Sequence, residues 1–155
     1  MSAGGAPAYL AGLLLAGRPV VAVGGGDVHR RRVPVLLAAG AVVTVVAPQL
    51  HPDLAALADA GTVRWVPRAF EPSDLDGAWY VLAATDSPEV NAAVAAAAEA
   101  RHTFCVRADA GGLGSAWTPA TGTVGDATIG VLTAHDPLRA RALRDRLVDL
   151  LGDAG

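Results

Sequence analysis

Apolar and polar positions alternate in blocks along this chain, and the blocks predict strands and helices in turn. Short apolar runs, each closed by glycine, proline or a polar residue, are typical of strands that are buried on both faces. Five such runs occur in the first two thirds of the sequence. They are Pro19–Val23, AVVTVVAP, TVRWVP, WYVLAAT at residues 79–85, and HTFCVR.

Stretches with apolar residues at helical spacing separate these runs. The first, DVHRRRVPVLLAAGA, contains Pro34, which predicts a kink or a shorter regular part because proline lacks a backbone donor. A second helix is expected at about residues 52–60, with Gly61 as its C-cap. The third has a clear start, since Ser87 can cap it and Pro88 suits its first turn. This alternation predicts an α/β fold, with a parallel sheet and helices on both faces.

The pattern changes near Asp109–Ser115, where we expect a domain boundary. AGGLG predicts a flexible loop, and SAWTPATGTVGDATIGVLTA predicts two strands around a turn at Gly122–Asp126. The last run, DPLRARALRDRLVDLL, predicts a helix with Asp136 as N-cap and Pro137 at its first position. Leu138, Ala142, Leu143 and Leu147 share one face of this helix, so we expect an apolar stripe that a second copy of the chain would cover.

Composition narrows the possible functions. A length of 155 residues fits one domain, or one domain with a small appendage, and 52% hydrophobic residues fit a globular chain. The net charge of -3 argues against nucleic-acid binding, which needs a basic face. No segment has the length or flanks of a membrane span or signal peptide, so we expect a cytoplasmic protein. The single cysteine, Cys105, excludes an internal disulfide and is expected to be buried.

The glycine turn after the first strand is the first candidate site. Gly24-x-Gly26-x-x-His29 is an imperfect dinucleotide fingerprint, in which glycines let a pyrophosphate approach the N-terminus of a helix. His29 stands where a small residue is usual. No acidic residue follows the second strand to bind the ribose, so Gln49 or backbone groups would take that role. The turn by itself is also compatible with a tight bend that binds nothing.

Three stretches in a fixed order carry a resemblance that the turn alone does not. They are VVAVGGGDVHRRRVPVLLAAGAVVTVVAP, WYVLAATDSPEVNAAVAAAAEAR and FCVRADAGGLGSAWTPAT. Together they resemble the dehydrogenase/ferrochelatase part of siroheme synthase, from about Tyr9 to Leu151. The resemblance implies oxidation of precorrin-2 to sirohydrochlorin with NAD+, and in many members insertion of Fe2+. It implies a Rossmann domain, here residues 1–112, followed by a dimerisation region, residues 113–155, in a homodimer.

The same resemblance implies roles for particular residues. Asp109 matches the aspartate assigned to both chemical steps, each of which releases a proton to a base. No arginine follows the second strand before Arg64, so no nearby guanidinium would bind the 2′-phosphate of NADP. This favours NAD over NADP. The implied cofactor-binding residues are Gly24, Gly25, Gly26, Asp27, Val28, Pro48, Gln49 and Thr85.

The chain departs from the family pattern in two places. VRAD replaces the usual NVVD, so Arg107 lies two residues before the expected base and would favour its ionised form. LTAHDP is shorter than the usual Ser-Gly-Gly-x-Ser-Pro loop, which weakens the expectation of the chelatase step. These departures keep open a non-catalytic module that binds a nucleotide or tetrapyrrole. A dehydrogenase of an unrelated small substrate is a third hypothesis.

Other side chains carry weaker signals. Arginines 30–32 are expected on a solvated helix face, although they could attract a polycarboxylate substrate. The tryptophans, Trp65, Trp79 and Trp117, predict core or interface packing. The histidines show no spacing typical of a metal site, so none is predicted. They are His29, His51, His102 and His135.

Overall fold

Five parallel strands form one sheet in the computed structural model, which describes residues 7–134 and 136–152. The strand order is β3-β2-β1-β4-β5, so the chain runs outward from β1 on one side and then returns to fill the other. The order reverses between β1 and β4, which is where open α/β sheets bind ligands. The strands are β1 (Pro19–Val23), β2 (Val42–Val46), β3 (Arg64–Val66), β4 (Tyr80–Ala83) and β5 (Phe104–Arg107).

Helices cover both faces of this sheet, which confirms the expected α/β architecture. α1 (Asp27–Ala38) and α2 (Pro52–Asp59) lie on one face, and α3 (Pro88–Glu99) lies on the other. The two faces therefore have separate apolar cores. The first core includes Val20, Ala22, Val33, Leu36 and Leu54, and the second includes Val21, Val23, Val81, Val94 and Ala98.

The predicted N-cap of α3 is confirmed, whereas the C-cap of α2 is Ala60 and the predicted Gly61 lies one residue beyond it. The helix shortening expected at Pro34 is not observed. The Ser87 hydroxyl accepts a hydrogen bond from the Val90 N–H at 3.2 Å, with Pro88 first in α3. α1 runs through Pro34 without ending, because the missing N–H removes one intrahelical bond only. A short 3-10 helix, Pro72–Leu75, was not predicted, and it places the fully buried Leu75 in the second core.

The segment after β5, predicted as a flexible glycine-rich loop, contains a short 3-10 helix and bonds to the edge strand. It forms a 3-10 turn at Gly111–Leu113 and then runs beside β5. The Cys105 N–H donates to the Ser115 hydroxyl at 2.9 Å, and the N–H groups of residues 115 and 116 donate to the Cys105 carbonyl. These bonds occupy polar groups on an edge strand. Cys105 is buried as expected, and burial raises the pKa of its thiol to about 11.

The chain divides into two compact units, Leu13–Ala116 and the described parts of Met1–Gly12 with Trp117–Gly155. In the smaller unit, β6 (Ala120–Val124) and β7 (Ala127–Val131) form an antiparallel hairpin with α4 (Pro137–Gly152). The functional division into residues 1–112 and 113–155 stays a prediction.

One detail of the smaller unit differs from the sequence prediction, and another agrees with it. The turn is narrower than the expected Gly122–Asp126, because Gly122 belongs to β6 and packs beside α4. The α4 cap is as predicted, since the Asp136 carboxylate accepts from the Arg139 N–H at 2.9 Å. Within residues 7–134 and 136–152, no helix combines the length and hydropathy needed to cross a membrane.

Two of the three tryptophans lie outside the core, and for these two the interface half of the prediction stays a prediction. Trp79 is 60% exposed, and the Arg18 guanidinium lies 4.4 Å from its ring centre. Trp65 is 39% exposed, and its indole N–H donates to the Ala47 carbonyl at 2.8 Å. Both residues lie at strand starts or on edge strands, where a large ring can cover apolar surface without entering the core.

Candidate functional site

The glycine turn fits between the ends of two strands only because its residues lack side chains. Gly24 has a φ of +117°, and a Cβ there would collide with the Ala84 carbonyl oxygen at the end of β4. A Cβ on Gly25 would collide with the Gln49 carbonyl oxygen after β2. The turn therefore packs against the backbone that follows β4 and β2, the two strands next to β1. The sequence pattern predicts this position for a binding turn.

Four hydrogen bonds fix the backbone of this turn. The Gly24 N–H donates to the Val46 carbonyl at 2.9 Å, and the Gly26 carbonyl accepts from the Arg30 N–H at 3.0 Å. The Gly25 carbonyl accepts from the His51 N–H at 2.7 Å. The fourth bond joins the His29 Nδ1 to the Gly24 carbonyl, also at 2.7 Å. Sequence reasoning noted His29 as a departure and assigned it no function.

The start of α1 has the features that a dinucleotide pyrophosphate needs. Gly26 is the N-cap and no side chain caps the helix. A Cβ built on Gly26 meets nothing within 4 Å, so the space beside the helix end is open. Among the described residues, the N–H groups of Gly25, Gly26 and Val28 have no hydrogen-bond partner. Free N–H groups at a helix N-terminus bind anions, and the predicted cofactor-binding glycines fit this role.

Charged side chains surround this helix end. Asp27 is exposed, and Arg30 lies 3.0 Å from its carboxylate. The hydrogen bond and charge of Arg30 lower the pKa of Asp27, so that carboxylate stays ionised at neutral pH. Pro48 and Gln49 follow β2 and are exposed at the same edge of the sheet. The structure thus brings the predicted Asp27, Val28, Pro48 and Gln49 to one end of the sheet.

Thr85 lies at the end of β4 and is held by a buried asparagine. The Thr85 N–H and hydroxyl donate to the Asn91 Oδ1 at 2.9 and 2.8 Å. The Asn91 Nδ2 donates back to the Thr85 carbonyl at 3.1 Å. Asn91 is fully buried at the start of α3. Sequence reasoning missed Asn91, although a lone amide in an alanine-rich helix was a signal that could have found it.

Asp109 follows the end of β5 and is paired with Arg107. The guanidinium makes two hydrogen bonds to the carboxylate, at 3.1 Å from Nε and 2.7 Å from Nη2. Arg107 is buried, and its Nη2 lies 3.5 Å from the Pro88 carbonyl. Arg107, and then Asn91, hold the pKa of Asp109 below its usual value, although burial opposes the shift. The neighbour predicted from VRAD is confirmed.

The candidate residues lie at the carboxyl ends of adjacent parallel strands. Gly24 packs against the Ala84 carbonyl, Thr85 follows in the chain and bonds to Asn91, and Asp109 follows the neighbouring strand β5. Within residues 7–134 and 136–152, no group of three or more histidine, cysteine or acidic side chains could hold a metal ion. His135 lies outside the described residues.

The glycine turn, the open helix end and the parallel sheet define a dinucleotide-binding fold of Rossmann type. The chain belongs to the family described as "Putative NAD(P)-binding", whose model matches residues 12–120. The sequence prediction of an NAD cofactor is confirmed at the level of this family.

Curated relatives and a solved structure agree with this family. Siroheme synthase of Methylobacillus flagellatus is 42% identical over 135 residues, covering 86% of this chain and 29% of the relative. Siroheme synthase of Escherichia coli O157:H7 is 41% identical over the same length, covering 86% of this chain and 30% of the relative. Siroheme synthase 1 of Aeromonas salmonicida is 56% identical over 77 residues, covering 50% of this chain and 16% of the relative.

The structural comparison confirms the fold class. The solved structure of SirC, precorrin-2 dehydrogenase, superposes with a TM-score of 0.81 at 26% identity, covering 92% of this chain and 71% of that one. The resemblance seen in the sequence is therefore confirmed. This chain spans less than a third of the length of the siroheme synthases it matches.

Proposed function

We propose that this chain oxidises precorrin-2 to sirohydrochlorin with NAD+ as the electron acceptor. The similarity to siroheme synthases and to a precorrin-2 dehydrogenase supports the substrate class. The observation that carries the proposal is the shared location of the glycine turn, Thr85 and Asp109, which follow the carboxyl ends of the adjacent parallel strands β1, β4 and β5. This location supports a role for the Asp109 carboxylate close to the turn that would bind the cofactor.

In this proposal, one group of residues binds the cofactor and another accepts the proton. NAD+, when bound, supplies a two-electron acceptor for the hydride that leaves the tetrapyrrole. The N–H groups of Gly25, Gly26 and Val28 bind the pyrophosphate at the start of α1. Asp109 accepts the proton that leaves together with the hydride, and it is ionised before the reaction because Arg107 lowers its pKa. Arg107 orients that carboxylate through two hydrogen bonds.

The test is anaerobic turnover of precorrin-2 with NAD+, followed by NADH absorbance and the sirohydrochlorin spectrum. We expect NADH from the wild type and a loss of about 100-fold or more with Asp109→Asn, as for removal of a general base. Asp126→Asn, in the hairpin turn, is the matched control and should keep wild-type turnover. Equal rates for Asp109→Asn and the wild type would exclude Asp109 as the base.

A non-catalytic binding module is the second candidate, and the Arg107–Asp109 pair favours it. A carboxylate bound by a buried guanidinium at 2.7 Å is a weak base. On this alternative, NAD+ binds to the wild type but no NADH forms with precorrin-2. Asp109→Ala would then keep the affinity of the wild type for its ligand.

Further functions of this kind remain proposals. We propose Fe2+ insertion as a second reaction at Asp109, because chelation also releases protons to a base. Adding Fe2+ after NADH formation tests it, and a siroheme spectrum that requires the protein would support it.

We also propose that the chain forms a homodimer, because the leucines of α4 are exposed. A cytoplasmic location is proposed as well.

A further inference from the structure

His29 occupies the third position of the glycine fingerprint, where a small residue is usual. Its side chain is completely buried, and its Nδ1 lies 2.7 Å from the Gly24 carbonyl oxygen. A carbonyl oxygen only accepts, so Nδ1 carries the hydrogen and donates it. The side chain at the third position therefore makes a bond to the turn that a small residue could not make.

This bond determines the direction of a backbone donor. The peptide bonds of the described chain are trans, so a carbonyl and the following N–H point in opposite directions. Because His29 holds the Gly24 carbonyl on the side of α1, the Gly25 N–H points away from it. The His51 N–H holds the Gly25 carbonyl at 2.7 Å in the same manner, which orients the Gly26 N–H. Two successive peptide planes are thus fixed by bonds to their carbonyl groups.

The ring has a single protonation state at physiological pH. Burial lowers the pKa of His29 to about 4, so the imidazole is neutral and its Nε2 has a lone pair. That Nε2 is buried without a hydrogen-bond partner among the described residues, as is the Nη1 of Arg32 one turn further along α1. An unpaired buried acceptor destabilises a fold by roughly 1–3 kcal/mol, and a small residue would avoid this cost.

We propose that His29 is a positioning residue for the dinucleotide, which fixes the Gly24–Gly25 peptide plane and thereby presents the Gly25 N–H to the pyrophosphate. This inference rests on the proposed function only for the identity of the ligand, NAD+. According to this proposal, the hydrogen bond from His29 Nδ1 to the Gly24 carbonyl increases the affinity for NAD+ in addition to any effect on folding.

Two substitutions separate the donor from the volume of the ring. His29→Asn places an amide N–H close to the position of Nδ1, and His29→Leu keeps a similar volume without a donor. NAD+ dissociation constants are measured by titration calorimetry on the purified chain. We expect His29→Leu to weaken binding about tenfold, in line with the loss of one preorganised donor, and His29→Asn to stay within about threefold of wild type. His102→Asn, a histidine with a φ of 52° that asparagine tolerates, is the matched control.

Two results of the titrations would overturn the proposal. One is wild-type affinity in His29→Leu, and the other is equal weakening in His29→Leu and His29→Asn. If His29→Leu does not fold, ¹⁵N spectra of the wild-type imidazole decide instead. A hydrogen on Nδ1 at pH 7, together with a shift of the Gly25 amide on addition of NAD+, supports the role. A hydrogen on Nε2, or an unmoved Gly25 amide, overturns it.

The outcome is independent of the dehydrogenase reaction. Affinity that falls in the expected order while precorrin-2 gives no NADH would support His29 and defeat the proposed oxidation. Turnover of precorrin-2 by the wild type, together with normal NAD+ binding by His29→Leu, would support the proposed oxidation and contradict the role of His29.

Discussion

Arg107 pairs with the Asp109 carboxylate, and the effect of this pair on the pKa of Asp109 can be measured without substrate. Replacing Arg107 by valine removes both hydrogen bonds to the carboxylate and the adjacent positive charge. We therefore expect Arg107→Val to raise the pKa of Asp109, measured by carboxyl ¹³C NMR titration. Arg101→Val is the matched control, because it breaks a similar pair with Asp76 far from the site. An Asp109 pKa that is equal in Arg107→Val and wild type would contradict the role of the ion pair.

The direction of the Asp109 shift determines its effect on stability. A carboxyl group with a lowered folded pKa stabilises the fold above its unfolded pKa of about 3.9, and this stabilisation is lost as the pH falls through the folded value. The loss occurs in strongly acidic solution. Arg107→Val should therefore show a weaker decline in the free energy of unfolding below about pH 4 than wild type.

His29 gives a pH dependence in a different range. Its folded pKa of about 4 is lower than the value of 6.5 expected for an unfolded histidine, so the unfolded state binds a proton first. Stability from this group should fall by about 1.4 kcal/mol per pH unit as the pH decreases from 6.5 toward 4. The positive charge of Arg32 acts in the same direction. Urea unfolding at pH 7, 6 and 5 checks this, since His29→Leu should lack the slope. Parallel curves for the two proteins would contradict it.

Single residues show which parts of the site the sequence could predict. The glycines were predicted from their spacing after a strand, whereas Asp109 was predicted from the family resemblance, and both lie after strand ends. Asn91 was missed because its role depends on contacts with Thr85, six residues before it, at the end of β4. Spacing in the sequence does not show that the first turn of α3 folds back onto that strand end.

At the scale of elements, the junction of β1 and α1 offers a matched pair of substitutions. A Cβ on Gly25 would collide with the Gln49 carbonyl, whereas a Cβ on Gly26 meets nothing within 4 Å. Gly25→Ala should therefore lower the melting temperature by displacing the loop after β2. Gly26→Ala should change the free energy of unfolding by at most about 1 kcal/mol and still weaken NAD+ binding, because its methyl group enters the open space. Normal NAD+ affinity in Gly26→Ala would argue against this space as the pyrophosphate site.

Element order was predictable, and element ends were less so, for a physical reason. Apolar periodicity reports which residues face a core, and all five strands of the sheet were identified from it. Gly122 was assigned to a turn from its residue type, yet it lies within β6 because α4 packs against it. A Cβ at Gly122 would lie 2.6 Å from the Val148 side chain. A contact across 26 positions of sequence is not visible in local composition.

At the scale of the whole molecule, the leucines of α4 remain without cover. Arg144 and Val148 face the hairpin, where the Arg144 Nη1 donates to the Thr121 carbonyl at 2.7 Å. An adjacent stripe of the helix is apolar and exposed. It consists of Leu143, Leu147, Leu150 and Leu151. An exposed apolar stripe of this kind on a helix is typical of an interface between subunits.

A second copy of the chain is the partner that we propose for this stripe. A two-fold interface brings the same patch of each copy together, so one charged substitution acts twice. We expect wild type to sediment as a dimer at micromolar concentration and Leu147→Glu as a monomer, because two buried carboxylates would face each other without partners. Arg141→Glu, on an exposed position of the same helix, controls for the change in charge and should remain dimeric. A wild-type chain that sediments as a monomer over this range would show that α4 does not pair copies of this protein, and the stripe would then need a different partner.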